Sequence, residues 1–420
     1  MGNCDKDGCE RIPVCSARLD GNEARYLKEC IDTGWVSSSG PFIRRFEKEF
    51  AAYCNTRFCA VCSSGTGALH LALAALGIGP GDEVIVPSLT MIASGNSILY
   101  TGATPVIADV DPVTGNLDPA EIHRLLSPRT RAVMVVHLYG LPCDMDAIRA
   151  ACDPAGIPVI EDAAEAIGTT WGAGRAGALG KAGCFSFFAN KAITTGEGGA
   201  VVTDDPDLDH RIRGFRDQWF VPGRRFFHPD TGFNYRMSNL QAAVGVAQLE
   251  RVGALVEARC QVARTYRELL GNHPDLILPL DHWPTSTAPA TIPLRTSGFE
   301  GPVDQRLPQA QSREPSTINT GLLTPRRTSG GNSHWMYALR LAGRHADRAE
   351  ELAVHLKSSN IETRLFFVPL DEQPAFAPFG ARCPVSRSLS RSGILLPTGP
   401  LITPAQQTRV AREVLRFLEG

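Results

Sequence analysis

Pro158-Val-Ile-Glu-Asp162 and, further on, Cys184-Phe-Ser-Phe-Phe-Ala-Asn-Lys191 decide how the chain folds. Each opens as a short β-branched or aromatic run, too short for a helix, and each leads to one charged residue, Asp162 or Lys191. Runs of that kind predict buried strands. Working outward, the pattern recurs at 83–87, 105–109, 132–137 and 200–203, with helix-period segments between. This alternation predicts an α/β fold with a mostly parallel central sheet flanked by helices. Open sheets of this kind take ligands at the carboxyl ends of their strands, which is where Asp162 and Lys191 fall.

The large α/β domain is expected over 11–254, after a disordered tail at 1–10. A helical stretch from 239 to about 270 leads into a smaller C-terminal α+β domain, 255–420, with further helices near 346–358 and 404–418. Within it, 284–333 is rich in Pro, Ser, Thr, Arg and Gly and reads as a mobile insertion. With 43% hydrophobic and 20% charged residues, the 420-residue chain has an ordinary globular composition. The 42 Lys+Arg against 44 Asp+Glu leave no basic excess for nucleic acid. No run approaches the ~18 consecutive apolar residues of a membrane helix, and the first residues carry no apolar signal core. A cytoplasmic chain with no membrane contact is therefore expected. The 12 Cys sit mostly in apolar runs and read as packed thiols. Cys4 and Cys9 lack a second pair at zinc spacing, so no metal site is expected.

Lys191 lies between Phe185, Phe187 and Phe188 on one side and Gly196-Glu-Gly-Gly199 on the other. A lysine enclosed by aromatic side chains and tight turns loses hydration, which lowers its pKa and frees a nucleophilic amine. A helix predicted over 66–76 starts after the small-residue turn Ser63-Ser-Gly65, so bare amides there form a potential anion site. A desolvated lysine, an acid at a neighbouring strand end and a helix N-terminus match what pyridoxal 5′-phosphate requires. These are an amine for its aldehyde, a carboxylate for its ring nitrogen and donors for its phosphate.

Four stretches in this order resemble the DegT/DnrJ/StrS family of sugar aminotransferases, fold type I pyridoxal-phosphate enzymes. They are Ser63-Ser-Gly-Thr-Gly-Ala-Leu-His70, Glu161-Asp-Ala-Ala-Glu-Ala-Ile-Gly168, Ser186-Phe-Phe-Ala-Asn-Lys-Ala-Ile-Thr-Thr-Gly-Glu-Gly-Gly199 and Gly232-Phe-Asn-Tyr-Arg-Met237. The similarity runs from about 12 to 261 and resumes after Trp335. It implies that Lys191 holds the cofactor and shuttles the proton, that Asp162 pairs with the ring nitrogen, and that Glu165 lies near the ring hydroxyl. Gly65, Thr66 and Ser186, with the backbone of Gly67, would hold the phosphate. Met91 would cover the ring where many relatives place an aromatic side chain. Asn234 would reach the phosphate in the neighbouring subunit, which makes the enzyme a homodimer with shared sites. L-Glutamate would give 2-oxoglutarate and pyridoxamine 5′-phosphate, and a nucleotide-linked keto sugar would take the amine. Glu165, Asn190, Pro87-Ser-Leu-Thr-Met-Ile-Ala-Ser94 and Trp335-Met-Tyr337 resemble the subgroup acting on GDP-4-keto-6-deoxymannose. The alternatives are a 3-amino-sugar or cyclitol aminotransferase on another carrier, and a non-catalytic cofactor-binding sensor.

Phe366-Phe-Val-Pro-Leu-Asp371 resembles a substrate-contacting loop of that family but lacks the His common near its end. His137 reads equally as a substrate contact or a hydrogen-bonded core residue. Arg224-Arg225 reads as a loop near a sugar-nucleotide phosphate or as a solvated surface pair. Gly180-Lys181 is no phosphate-binding P-loop, because Ala182 replaces the required Ser or Thr.

Overall fold

In the computed structural model, which describes residues 10–221, 223, 224, 226–271, 273–283 and 330–420, a seven-stranded sheet carries the site. Its strands are β1 (Phe58–Cys62), β2 (Glu83–Pro87), β3 (Thr104–Ala108), β4 (Thr130–Val136), β5 (Val159–Asp162), β6 (Ala182–Ser186) and β7 (Gly199–Thr203). They lie side by side as β1-β7-β6-β5-β4-β2-β3. β2 to β6 run parallel; β7 is antiparallel to both β6 and β1.

Both faces are covered, so the strands read as continuous apolar runs rather than alternating ones. Val84, Val86, Ala132 and Met134 pack against Leu69, Ala72 and Leu73 of the helix Gly65–Ala75. Their neighbours Ile85, Val133 and Val135 point the other way, toward Met145 and Ile148. Around β6 the aromatic residues seen in the sequence are core residues: Phe50 meets Phe185 and Phe187 edge-on at 5.0 and 5.2 Å. Burying a phenylalanine stabilises by about 1.5–3 kcal/mol, so this cluster is a firm floor beneath the Lys191 turn.

The four-stranded antiparallel sheet runs Leu276–Ile277, Tyr337–Leu341, Gly393–Leu396, Arg364–Leu365. It packs with the helices Ala349–Ser358 and Pro404–Glu419 and with the second half of Val252–Leu270 around a separate core. Leu370 and Phe376 leave it and fill the central core, where Gly95 gives room for the Phe376 ring.

Three expectations need correction. The strand placed at 184–188 ends at Ser186, because Phe187 and Phe188 turn back toward Gly198 and Gly196. The helix expected from 239 to 270 is two, Asn239–Leu249 and Val252–Leu270, broken at Glu250-Arg251. β1 was not anticipated: Phe58-Cys-Ala-Val-Cys62 carries a single β-branched residue and owes its extension to pairing with β7. Residues 1–9 of the expected tail and 284–329 of the expected insertion lie outside the described residues, while Gly330–Gly331 pairs with Thr170–Trp171.

Candidate active site

β5 and β6 are parallel neighbours, and the site gathers at their carboxyl ends. Asp162 terminates β5 and is buried. Its Oδ2 accepts from Ser94 Oγ at 2.7 Å and its Oδ1 from the Ala164 amide at 3.1 Å; Thr90 Oγ1 lies 2.8 Å behind Ser94 Oγ. Burial raises the Asp162 pKa above the usual carboxylate value. A cation placed beside it would reverse that shift, because an opposite charge favours the ionised form.

Lys191 follows β6 on a turn closed by its own amide, which donates to Phe188 O at 2.9 Å. Its Nζ lies 3.8 Å from Glu165 Oε1 and 3.8 Å from the centroid of the Trp335 ring. The side chain is only 11% exposed. Burial lowers its pKa, with Glu165 and Asp162 pulling the other way, so the neutral amine is more accessible than on a surface lysine. Glu165 is raised by the same burial, while its Oε2 accepts the Tyr139 amide at 2.8 Å.

The helix Gly65–Ala75 begins at the end of β1 with Ser64 as its N-cap. The Gly67 amide donates to Ser64 Oγ at 3.0 Å. The Gly67 amide, one of the expected phosphate contacts, is thus engaged by the cap in this structure, whereas the Gly65 and Thr66 amides, in the first turn, have no acceptor within the helix. A Cβ on Gly65 would fall 2.8 Å from Ser186 Cβ, so the helix end and the end of β6 form one cradle that only glycine permits. Met91, on the loop after β2, is 48% exposed and open to a ligand.

Not every expected residue joins this group. Asn234, expected to serve the neighbouring subunit's cofactor rather than this one, is exposed, and its Oδ1 accepts from Arg236 Nε at 2.9 Å. His137 is a core residue: fully buried, with Nε2 2.8 Å from Glu161 Oε2 and Nδ1 accepting the Cys143 amide. Asp371 is structural too, bound by Ser88 Oγ at 2.7 Å and Arg387 Nε at 2.8 Å with its side chain buried. Val368 of that loop is exposed, as is Leu365 of the strand just before it. Arg224 lies over the Phe227 ring, and Arg225 lies outside the described residues.

Four residues at the site were not singled out for it: Trp335, Tyr139, Ser94 and Arg259. For Arg259 a signal existed, since Leu255, Val262, Ala263 and Tyr266 share its helical stripe and mark it as buried.

The profile of the DegT/DnrJ/EryC1/StrS aminotransferase family matches residues 17–306 and 312–415. The chain belongs to this family. Its members are pyridoxal-phosphate-dependent aminotransferases, and this aminotransferase shares their architecture. It is 42% identical to the GDP-perosamine synthase of Caulobacter vibrioides over 403 residues, 95% of this chain and 96% of that one. To the GDP-perosamine synthase of Vibrio cholerae it is 37% identical, covering 93% and 94%. The X-ray structure of S. venezuelae DesV in complex with ketimine intermediate matches with a TM-score of 0.81 at 32% identity, covering 98% of this chain and 99% of that one. Among the described residues, no helix of the aminotransferase is long and apolar enough to cross a membrane.

Proposed function

We propose that this aminotransferase moves the amino group of L-glutamate to GDP-4-keto-6-deoxymannose, with pyridoxal 5′-phosphate held on Lys191. The observation that carries the chemistry is the Lys191 amine, on a side chain only 11% exposed, beside the buried acids Asp162 and Glu165. The observation that favours the substrate is the 42% identity to a GDP-perosamine synthase across 96% of its length.

The residues fit the cofactor. A lysine of lowered pKa, a buried carboxylate already held in place by Ser94, and a glycine-gated helix N-terminus beside a serine hydroxyl are the donor set it needs. When bound, pyridoxal phosphate supplies an aldehyde for amines and a ring that accepts electrons from the reacting carbon. Asp162 would hold a proton on the ring nitrogen, Glu165 would face the ring hydroxyl, and Met91 would cover the ring. The Gly65 and Thr66 amides and the Ser186 hydroxyl would take the phosphate. Lys191, once its amine is released, removes the proton from the donor's α-carbon and returns protons to the acceptor side. Trp335, stacked on Tyr139, would keep water from that amine. The reading includes a cytoplasmic homodimer, in which exposed Asn234 serves the partner's cofactor. It also includes a cofactor-holding domain at 11–254 and a smaller domain at 255–420.

The test offers purified enzyme, cofactor and L-glutamate a panel of acceptors: GDP-4-keto-6-deoxymannose, dTDP-linked 3- and 4-keto sugars, and a keto-cyclitol. Amination of the GDP sugar at carbon 4, read by NMR and matched by 2-oxoglutarate, is expected. Preference for a 3-keto sugar or the cyclitol would replace the substrate. Failure to convert glutamate to 2-oxoglutarate with any acceptor would leave a cofactor-binding sensor.

The cradle is testable separately. Gly65→Ala pushes a methyl into Ser186 and displaces the helix end. Charged hydrogen bonds are worth about 1.5–3 kcal/mol, so cofactor affinity, titrated on stripped protein by absorbance, should fall by roughly 10- to 100-fold.

A further inference from the structure

The peptide groups on either side of Lys191 are gripped by side chains from distant parts of the chain. Asn190 O accepts Trp335 Nε1 at 2.9 Å and lies 3.7 Å from the Cys15 thiol. Lys191 O accepts Arg259 Nη2 at 2.9 Å, and Ala192 O accepts Arg259 Nη1 at 3.4 Å.

Arg259 is the member of this set that stability does not explain. It is 1% exposed, on the buried stripe of the helix Val252–Leu270. Among the described residues no carboxylate pairs with it. Its Nη atoms meet the carbonyls of Lys191, Ala192 and Leu255 and the Cys15 sulfur, and among the described residues its Nε has no partner. Burying a charge without an opposite charge is expensive, and even a buried ion pair can often be exchanged for well-packed apolar residues without loss of stability. An apolar residue at 259 would remove that buried charge but leave the Lys191 and Ala192 carbonyls without this donor. What it could not do is hold two successive carbonyls next to the reactive amine.

We propose that Arg259 is a positioning residue: its guanidinium locks the turn at 190–192 so that Lys191 Nζ is held between Glu165 and Trp335. It acts through the backbone and touches neither substrate nor cofactor. The inference rests on reading Lys191 as the attachment and proton-transfer residue. Its leverage is geometric, because a displacement of about 1 Å at a reacting centre can cost ~10²-fold in rate.

The test uses the full chain loaded with pyridoxal phosphate, as wild type, Arg259→Met and Arg259→Lys. Methionine fills the space without donors; lysine keeps the charge and a donor. Arg259→Met should stay folded at the assay temperature, lose roughly 10- to 100-fold in kcat and keep its KM for glutamate within about twofold. The absorbance band of its lysine-linked cofactor should shift or broaden. Arg259→Lys should recover most of the kcat and the wild-type band. Wild-type kcat and spectrum in Arg259→Met would overturn the proposal. So would equal losses in both variants that follow a lowered melting temperature, since that pattern marks a purely structural role. If Arg259→Met does not fold, Arg259→Gln takes its place, with a neutral side chain too short to span both carbonyls and the same expected loss. Borohydride trapping in wild type separates the two readings. No adduct at position 191 sinks the function of Lys191 itself, whereas a wild-type adduct with an unimpaired Arg259→Met sinks the positioning role alone.

Discussion

Lys191→Ala gives a folded protein without transaminase turnover. The side chain is pressed between Glu165 and Trp335 and, among the described residues, makes no hydrogen bond from its Nζ, so trimming it leaves the turn held by its backbone contacts. The chemistry loses both the amine that would hold the cofactor and the base that would move the proton. Positioned proton transfer alone is worth ~10²–10⁴ in rate, so kcat for the glutamate half-reaction should fall by at least that factor. Peptide mass spectrometry after borohydride treatment should find the cofactor on Lys191 in wild type and nowhere in the variant. Full activity in Lys191→Ala would remove the basis of the proposed function.

Asp162→Asn is the second large effect, and it separates charge from shape. Asparagine fits the same space, and its carbonyl oxygen can still accept from Ser94 Oγ or the Ala164 amide. What it lacks is the negative charge that would keep the ring nitrogen protonated. Losing one preorganised electrostatic partner at a reaction centre costs about 10²–10³ in rate. Stopped-flow of the glutamate half-reaction should show that loss with the melting temperature nearly unchanged and Lys191 still trapped by borohydride. A wild-type rate would mean that Asp162 is only a buried structural acid.

The sheet and the Lys191–Asp162 pair were legible because they are written locally. Val84-Ile-Val86 and Val133-Met-Val-Val136 are apolar whatever faces them, and an acid or lysine just beyond such a run falls at a strand end. What could not be read depends on residues far apart in the chain. Phe58–Cys62 is a strand because β7 is there to pair with it. Trp335 reaches Lys191 only after the chain has passed through the whole central sheet. His137 and Asp371 carry chemistry-capable side chains and were open to a substrate role. Their partners, Glu161 for the one and Ser88 and Arg387 for the other, come from separate segments, and only the fold shows them engaged. The engaged amide of Gly67 likewise turns on the rotamer of Ser64, which spacing does not reveal.

The lone reversed strand β7 has a consequence for biosynthesis. Among the described residues β7 is the only strand of this sheet that pairs with β1, so an emerging polypeptide cannot complete the pairing of Phe58–Cys62 until Gly199–Thr203 has been translated. The same delay applies to Gly65 and Ser186, the two halves of the anion cradle, which close on each other across that junction. Such long-range pairing slows folding and leaves apolar edges exposed in the meantime. A nascent chain stalled before residue 203 would therefore leave β1 incompletely paired and be a client for chaperones, whereas one released well beyond it could close both halves of the cradle.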